Sequence, residues 1–172
     1  VANGVFNIAR GKVAYYYYAV ENSLVVTAAG TPAYTSAADS ALVVVLLETT
    51  GLEVDNTLNN YDDLSALLAA ANNEPTGGTY ARKVLTDTEL AAVPAPDDTA
   101  NTLNLISPDI VWAALTTTGN AAISKLLYCF RPTAGSADTA IVPLTYHDFV
   151  VTPDGTDVTA DVSATLGFYQ SG

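Results

Sequence analysis

The sequence predicts a predominantly β, α+β fold: an antiparallel sandwich or partly closed barrel with one main helix at about residues 57–72 and an extended N-terminal arm. Three observations carry this prediction. The run "ALVVVLLETTG" puts seven apolar residues, Ala41 to Leu47, ahead of Gly51, which marks a strand buried on both faces. Leu58, Tyr61, Leu64, Leu67 and Leu68 recur at helical spacing. Beyond "EPTGG", short β-branched and aromatic runs alternate with clusters of Pro, Gly, Asn and Asp.

The elements follow in chain order. Val, Tyr and Val enrichment in "GKVAYYYYAVEN" predicts a first strand with its tyrosines alternating between faces. "NSLVVTAAGTPAYTSAADS" gives a short apolar run and then a loop rich in Gly, Pro, Ser and Thr. After the Val-rich strand comes the helix, with Asp62 and Asp63 near its positive N-terminal end and Asn72 to Pro75 as its stop. The remaining strand candidates are Tyr80 to Thr86, Thr102 to Leu105, Ile110 to Leu115, Ala122 to Phe130, Ala140 to Leu144 and His147 to Val151. "PDG", between "FVV" and "DVTADVSA", predicts a closing hairpin. Residues 1–20 then form an arm or first strand, and residues 21–172 a single β-rich domain.

Charge bounds the partners. The formal net charge is -12, and Val13 to Ala81 contains eight Asp or Glu without one Lys or Arg. Such a surface repels phosphate backbones, which disfavours nucleic acid. No run approaches the ~20 apolar residues of a membrane helix, so no membrane partner is expected. The start "VANGVFNIARGK" lacks the apolar segment and small-residue pattern of an export signal. The expectation is therefore synthesis in a cytoplasm without export. Cys129 is the single cysteine, which rules out an intrachain disulfide.

Chemistry-bearing residues are few. His147 is the only histidine, so a two-histidine metal site cannot form. A Cys129, His147 and Asp148 nucleophilic set is conceivable, but adjacent strand residues point to opposite faces, and Cys129 lies in the apolar run "KLLYCF" where an inert buried thiol is the simpler reading. Asp154, Asp157 and Asp161, like Asp97 and Asp98, sit in Gly- and Pro-punctuated segments that read as turns before they read as calcium ligands. Trp112 reads as core. No catalytic residue, metal site or cofactor is expected.

The remaining feature is "NGVFNIARGKVAYYYY", which sets Arg10 and Lys12 beside four consecutive tyrosines. Exposed tyrosine and arginine are typical of protein interfaces, so Phe6, Arg10, Lys12, Tyr15, Tyr16, Tyr17 and Tyr18 are the candidate interface residues. A cationic arm on one copy complements the acidic face of a neighbour.

These segments also carry a resemblance. "ANGVFNIARGKV", "SALVVVLLETTGLEVDNTLNNYDDLSALLAAANNE", "ARKVLTDTEL", "PAPDDTAN", "PDIVWAAL", "KLLYCF" and "IVPLTYHDFVVTPDGTDVTA" together cover most of the chain. With them the sequence resembles a family of small structural proteins of tailed bacteriophages. The resemblance implies a head- or tail-associated virion subunit without catalysis, and it supplies no site residues. The expected function is a decoration or cement protein on the outside of the head, bound to the major capsid protein, other virion subunits or copies of itself. The alternative is a tail or neck component, or a receptor-binding module.

Overall fold

The computed structural model describes residues 3–29, 32–116 and 121–171. Its centre is a five-stranded antiparallel sheet in the order β1-β9-β8-β4-β5. The strands are β1 (Gly4–Val5), β4 (Ala41–Glu48), β5 (Lys83–Leu85), β8 (Ile123–Arg131) and β9 (Val142–Val151). Three two-stranded ribbons surround it: β2 (Thr27–Ala28) with β3 (Tyr34–Thr35), β6 (Leu103–Leu105) with β11 (Tyr169–Ser171), and β7 (Ile110–Trp112) with β10 (Val158–Ala160). The mainly β, antiparallel architecture expected from the sequence is therefore present.

Register places the functional side chains. Leu46, Leu126 and His147 are paired across β4, β8 and β9, and Val44, Tyr128 and Thr145 form the neighbouring row. Strand side chains alternate in direction, so these rows share one face, while Leu47, Lys125 and Asp148 share the other. The first face is covered by aromatic stacking, Tyr16 on Phe130 at 4.7 Å and Phe168 on Tyr128 at 4.1 Å between ring centroids. On the second face Phe6 meets Tyr146 edge-on at 5.5 Å. The Ala41–Leu47 run is buried throughout because the central strand β4 is covered on both sides.

Five sequence expectations change. Residues Val13–Glu21 form a helix, α1, and not a strand. Val13, Tyr16, Tyr17 and Val20 are buried at i, i+3, i+4 and i+7 while Tyr15 and Tyr18 are exposed, a helical pattern that the strand propensity of Tyr and Val obscured. The leading segment is also not a free arm: Gly4 and Val5 pair with Tyr146 and Thr145, and the Phe6 N–H donates to the Leu144 carbonyl at 3.0 Å. A Cβ at Gly4 would meet the outer end of the Tyr146 ring, which would have to shift to admit it.

The helix expected at residues 57–72 is two short helices, α2 (Asp55–Leu58) and α3 (Leu64–Ala69). Asn60 bonds back to the Asn56 carbonyl at 2.7 Å, and Asp63 accepts from the Ala66 N–H at 2.7 Å as a new N-cap. Polar side chains that compete for backbone groups thus end one helix and start the next within a single apolar stripe.

The "PDG" segment turns as expected, with Gly155 at φ +94° and Asp154 accepting from the Thr156 N–H at 2.9 Å, but it does not close a hairpin. Instead, the Gly155 N–H donates to Leu115 and the chain crosses to pair β10 with β7, aligning Val158 with Trp112. The two candidates Ala140 to Leu144 and His147 to Val151 merge into the single strand β9, which is bulged opposite Tyr128 and Cys129. Trp112 is core, 1% exposed, with its indole N–H donating to the Ala81 carbonyl at 3.0 Å.

Candidate functional site

The four tyrosines divide by helix geometry. Tyr16 and Tyr17 point into the core, 3% and 0% exposed, and Phe6 is fully buried, so these three candidate interface residues belong to the fold of the single chain. Tyr17 holds its hydroxyl between the carbonyls of Ala91 (2.8 Å) and Ile106 (2.7 Å). Burial, with the nearby Glu21 charge, pushes its pKa up to about 12.

Tyr15 and Tyr18 remain outside, 51% and 47% exposed, one turn apart on the same side of α1. Arg10 and Lys12 lie exposed just before the helix, and Leu24 and Val25 stand exposed just after it. Two of the other four cations are paired with carboxylates. Arg82 is clamped by Glu74 and Asp138, while Lys125 is buried between Asp55 (2.9 Å) and Asp148 (2.6 Å). Arg10 and Lys12 form no ion pair among the described residues. On a chain of net charge -12, Arg10 and Lys12 thus lead without an ion pair into a helix whose outer side carries Tyr15 and Tyr18 and whose last residue is the acidic Glu21.

A second feature is a cleft of about 560 Å³ on the His147 face of the sheet. Its floor includes Leu126, Thr145, His147 and Phe149, and its walls come from Asn3 to Val5 and from the segments 160–163 and 166–170. The His147 Nε2 lies 3.0 Å from the Thr145 hydroxyl, and the ring is perpendicular to that of Tyr128. Burial, with Lys125 nearby, holds the His147 pKa down to about 4, so the imidazole is neutral at pH 7.

The conceivable nucleophilic set is not brought together. Cys129 is fully buried and aligned with Pro143, four residues before His147, which is roughly 13 Å along a strand. Burial pushes its thiol well above the usual range. Asp148 lies on the opposite face and engages Lys125. Among the described residues no group of three or more His, Cys, Asp or Glu side chains is placed to hold a metal ion.

Lys125 and the cleft were not singled out by sequence. Burial pulls the Lys125 pKa down, but hydrogen bonds and charge from Asp148 and Asp55 outweigh it and raise the value overall. The Tyr146 ring lies beneath the ammonium, 5.1 Å from Nζ to its centroid. A lysine within the apolar run "ISKLLYCF" was the available signal, since an uncompensated lysine is seldom buried. The cleft had no local signature because its residues come from both ends of the chain. Comparison with protein-family models, with curated proteins and with solved structures finds no match to this chain.

Proposed function

We propose that this chain is a non-enzymatic structural subunit of a bacteriophage virion, decorating the outside of the head and binding the major capsid protein or its own neighbours through the outer face of α1. The observation that carries the reading is the group of Arg10, Lys12, Tyr15 and Tyr18, exposed on an acidic body, its two cations without an ion pair among the described residues. Tyrosine buries large area at low entropic cost, and unpaired cations complement an acidic neighbour. Repetition over a symmetric shell multiplies such contacts. The residues that resemble phage structural proteins support the same class.

The test is the protein's position and copy number in purified particles. A copy number comparable to that of the main shell subunit supports decoration, and a few copies per particle sink it in favour of the neck or tail. The cleft favours a second reading, a receptor-binding module. It carries Phe149, Tyr169, Asn3, Asp161 and Gln170 but no Lys or Arg, a lining suited to uncharged, hydroxyl-rich surfaces. Saturable binding of neutral host-wall saccharides that is lost on Phe149→Ala supports this reading, and no binding removes it.

A further inference from the structure

The chain's one imidazole lines the cleft with a ring nitrogen to spare. His147 Nε2 is engaged with the Thr145 hydroxyl at 3.0 Å, whereas Nδ1 has no hydrogen-bond partner among the described residues and is not sealed from solvent. Whichever nitrogen carries the proton, a hydroxyl fits the open one, because a hydroxyl both donates and accepts. The lining around it is aromatic and aliphatic, with Leu126, Tyr128, Phe149, Phe168 and Tyr169, and the volume of about 560 Å³ is that of a pocket for ring-bearing groups.

The rim is acidic. Asp161 is exposed on the 160–163 wall, and beside it the exposed Asp109 accepts the Val162 N–H at 2.8 Å. No Lys or Arg lines the cleft. The chain itself carries the complement. Tyr15 and Tyr18 are the aromatic members of the exposed large hydrophobic residues, and one helical turn between them lets both rings enter one opening. Arg10 and Lys12 precede them without an ion pair among the described residues. Glu21 lies nine residues beyond Lys12, about 13 Å along the helix, so the cationic end can meet the rim without it. Neither Tyr15 nor Tyr18 lines the cleft of its own chain.

We propose that the cleft of one copy receives Tyr15 and Tyr18 of a second copy, with one phenol hydroxyl on His147 Nδ1 and with Arg10 and Lys12 against the rim of Asp109 and Asp161. The rings bury apolar area, and the opposite charges set the direction of docking. The contact joins two different surfaces, so it links copies in a row or in reciprocal pairs. The inference rests on the reading of the outer face of α1 as an interface, and it names the seat that this face takes on a neighbour.

The test uses the single histidine as its reporter. The Tyr15→Ser, Tyr18→Ser double variant keeps the cleft and lacks the rings; labelled with ¹⁵N-histidine, it is titrated by NMR with unlabelled full-length wild type. A saturable shift of the His147 imidazole signals is expected with wild type and none with unlabelled double variant. Unlabelled R10E/K12E protein binds about tenfold more weakly or worse, and added salt weakens the wild-type response. A urea midpoint of the double variant equal to that of wild type shows that its fold is intact. A silent His147 at millimolar wild type, equal shifts with both unlabelled proteins, or full affinity in R10E/K12E overturns the proposal. A shift with neutral saccharide and none with wild type also overturns it, in favour of the receptor-binding reading. Attachment of wild type to heads with His147 silent overturns this seat alone and leaves the α1 interface standing.

Discussion

Alanine substitution along Tyr15 to Tyr18 discriminates the helix from the alternative the sequence favours. A strand at these positions would bury alternate residues, pairing Tyr15 with Tyr17 or Tyr16 with Tyr18. The helix buries the adjacent pair Tyr16 and Tyr17 and exposes the outer pair. Tyr16 stacks on Phe130 at 4.7 Å and lies 6.2 Å from Tyr34, and Tyr17 stacks on Phe168 at 6.0 Å. Truncating a buried aromatic of this kind costs about 3–5 kcal/mol. Tyr15→Ala and Tyr18→Ala stay within about 0.5 kcal/mol, because alanine's better helix propensity offsets the little packing lost. Tyr17→Phe isolates the hydroxyl and costs about 1–2 kcal/mol by leaving the carbonyls of Ala91 and Ile106 unmet. With a urea m-value of about 2 kcal/mol/M, Tyr16→Ala and Tyr17→Ala each shift the midpoint down by roughly 2 M, and substitution of either outer tyrosine hardly moves it. An alternating pattern of large and small effects would refute the helical assignment.

Three further outcomes are expected. The folded pKa of His147, about 4, lies below its ordinary 6.5, so the unfolded chain takes up the proton first. Stability is unaffected above pH 6.5 and falls between there and about pH 4, by roughly 3 kcal/mol at most, and His147→Gln removes that part of the acid slope in pH-dependent urea melts. Asp63→Ala removes the cap on α3 and lowers stability by about 1 kcal/mol, while Asp63→Asn retains most of it. Lys125→Gln leaves Asp55 and Asp148 facing each other without their cation, and calorimetry should find a loss of about 2–3 kcal/mol, reduced from the fully buried case because both carboxylates are about 30% exposed.

The legibility of the sequence followed the range of the forces involved. The Ala41–Leu47 strand was readable because burial on both faces of a central strand needs an unbroken apolar run. Short strands such as Lys83–Leu85 and Ile110–Trp112 were found because turn residues bracket them locally. Tyr15–Tyr18 misled because β propensity is weak against tertiary packing, and the decisive spacing ran through Val13 and Val20 outside the tyrosine run. The "PDG" turn was visible but its destination was not, since pairing of Val158 with Trp112 is a long-range choice. For the candidate interface, the residue types were legible while the division between core and surface depended on the helix. Arg10, Lys12, Tyr15 and Tyr18 stayed outside, and Phe6, Tyr16 and Tyr17 went in.

Attachment to undecorated phage heads, with wild type compared against the Tyr15→Ser, Tyr18→Ser double variant, tests the proposed role most directly. At about 2 kcal/mol or more per interface hot spot, each change weakens attachment roughly 30-fold. The account predicts that wild type co-sediments with heads and that the double variant stays in the supernatant at an almost unchanged urea midpoint. Equal co-sedimentation of the two proteins, or failure of wild type to attach at all, would contradict it.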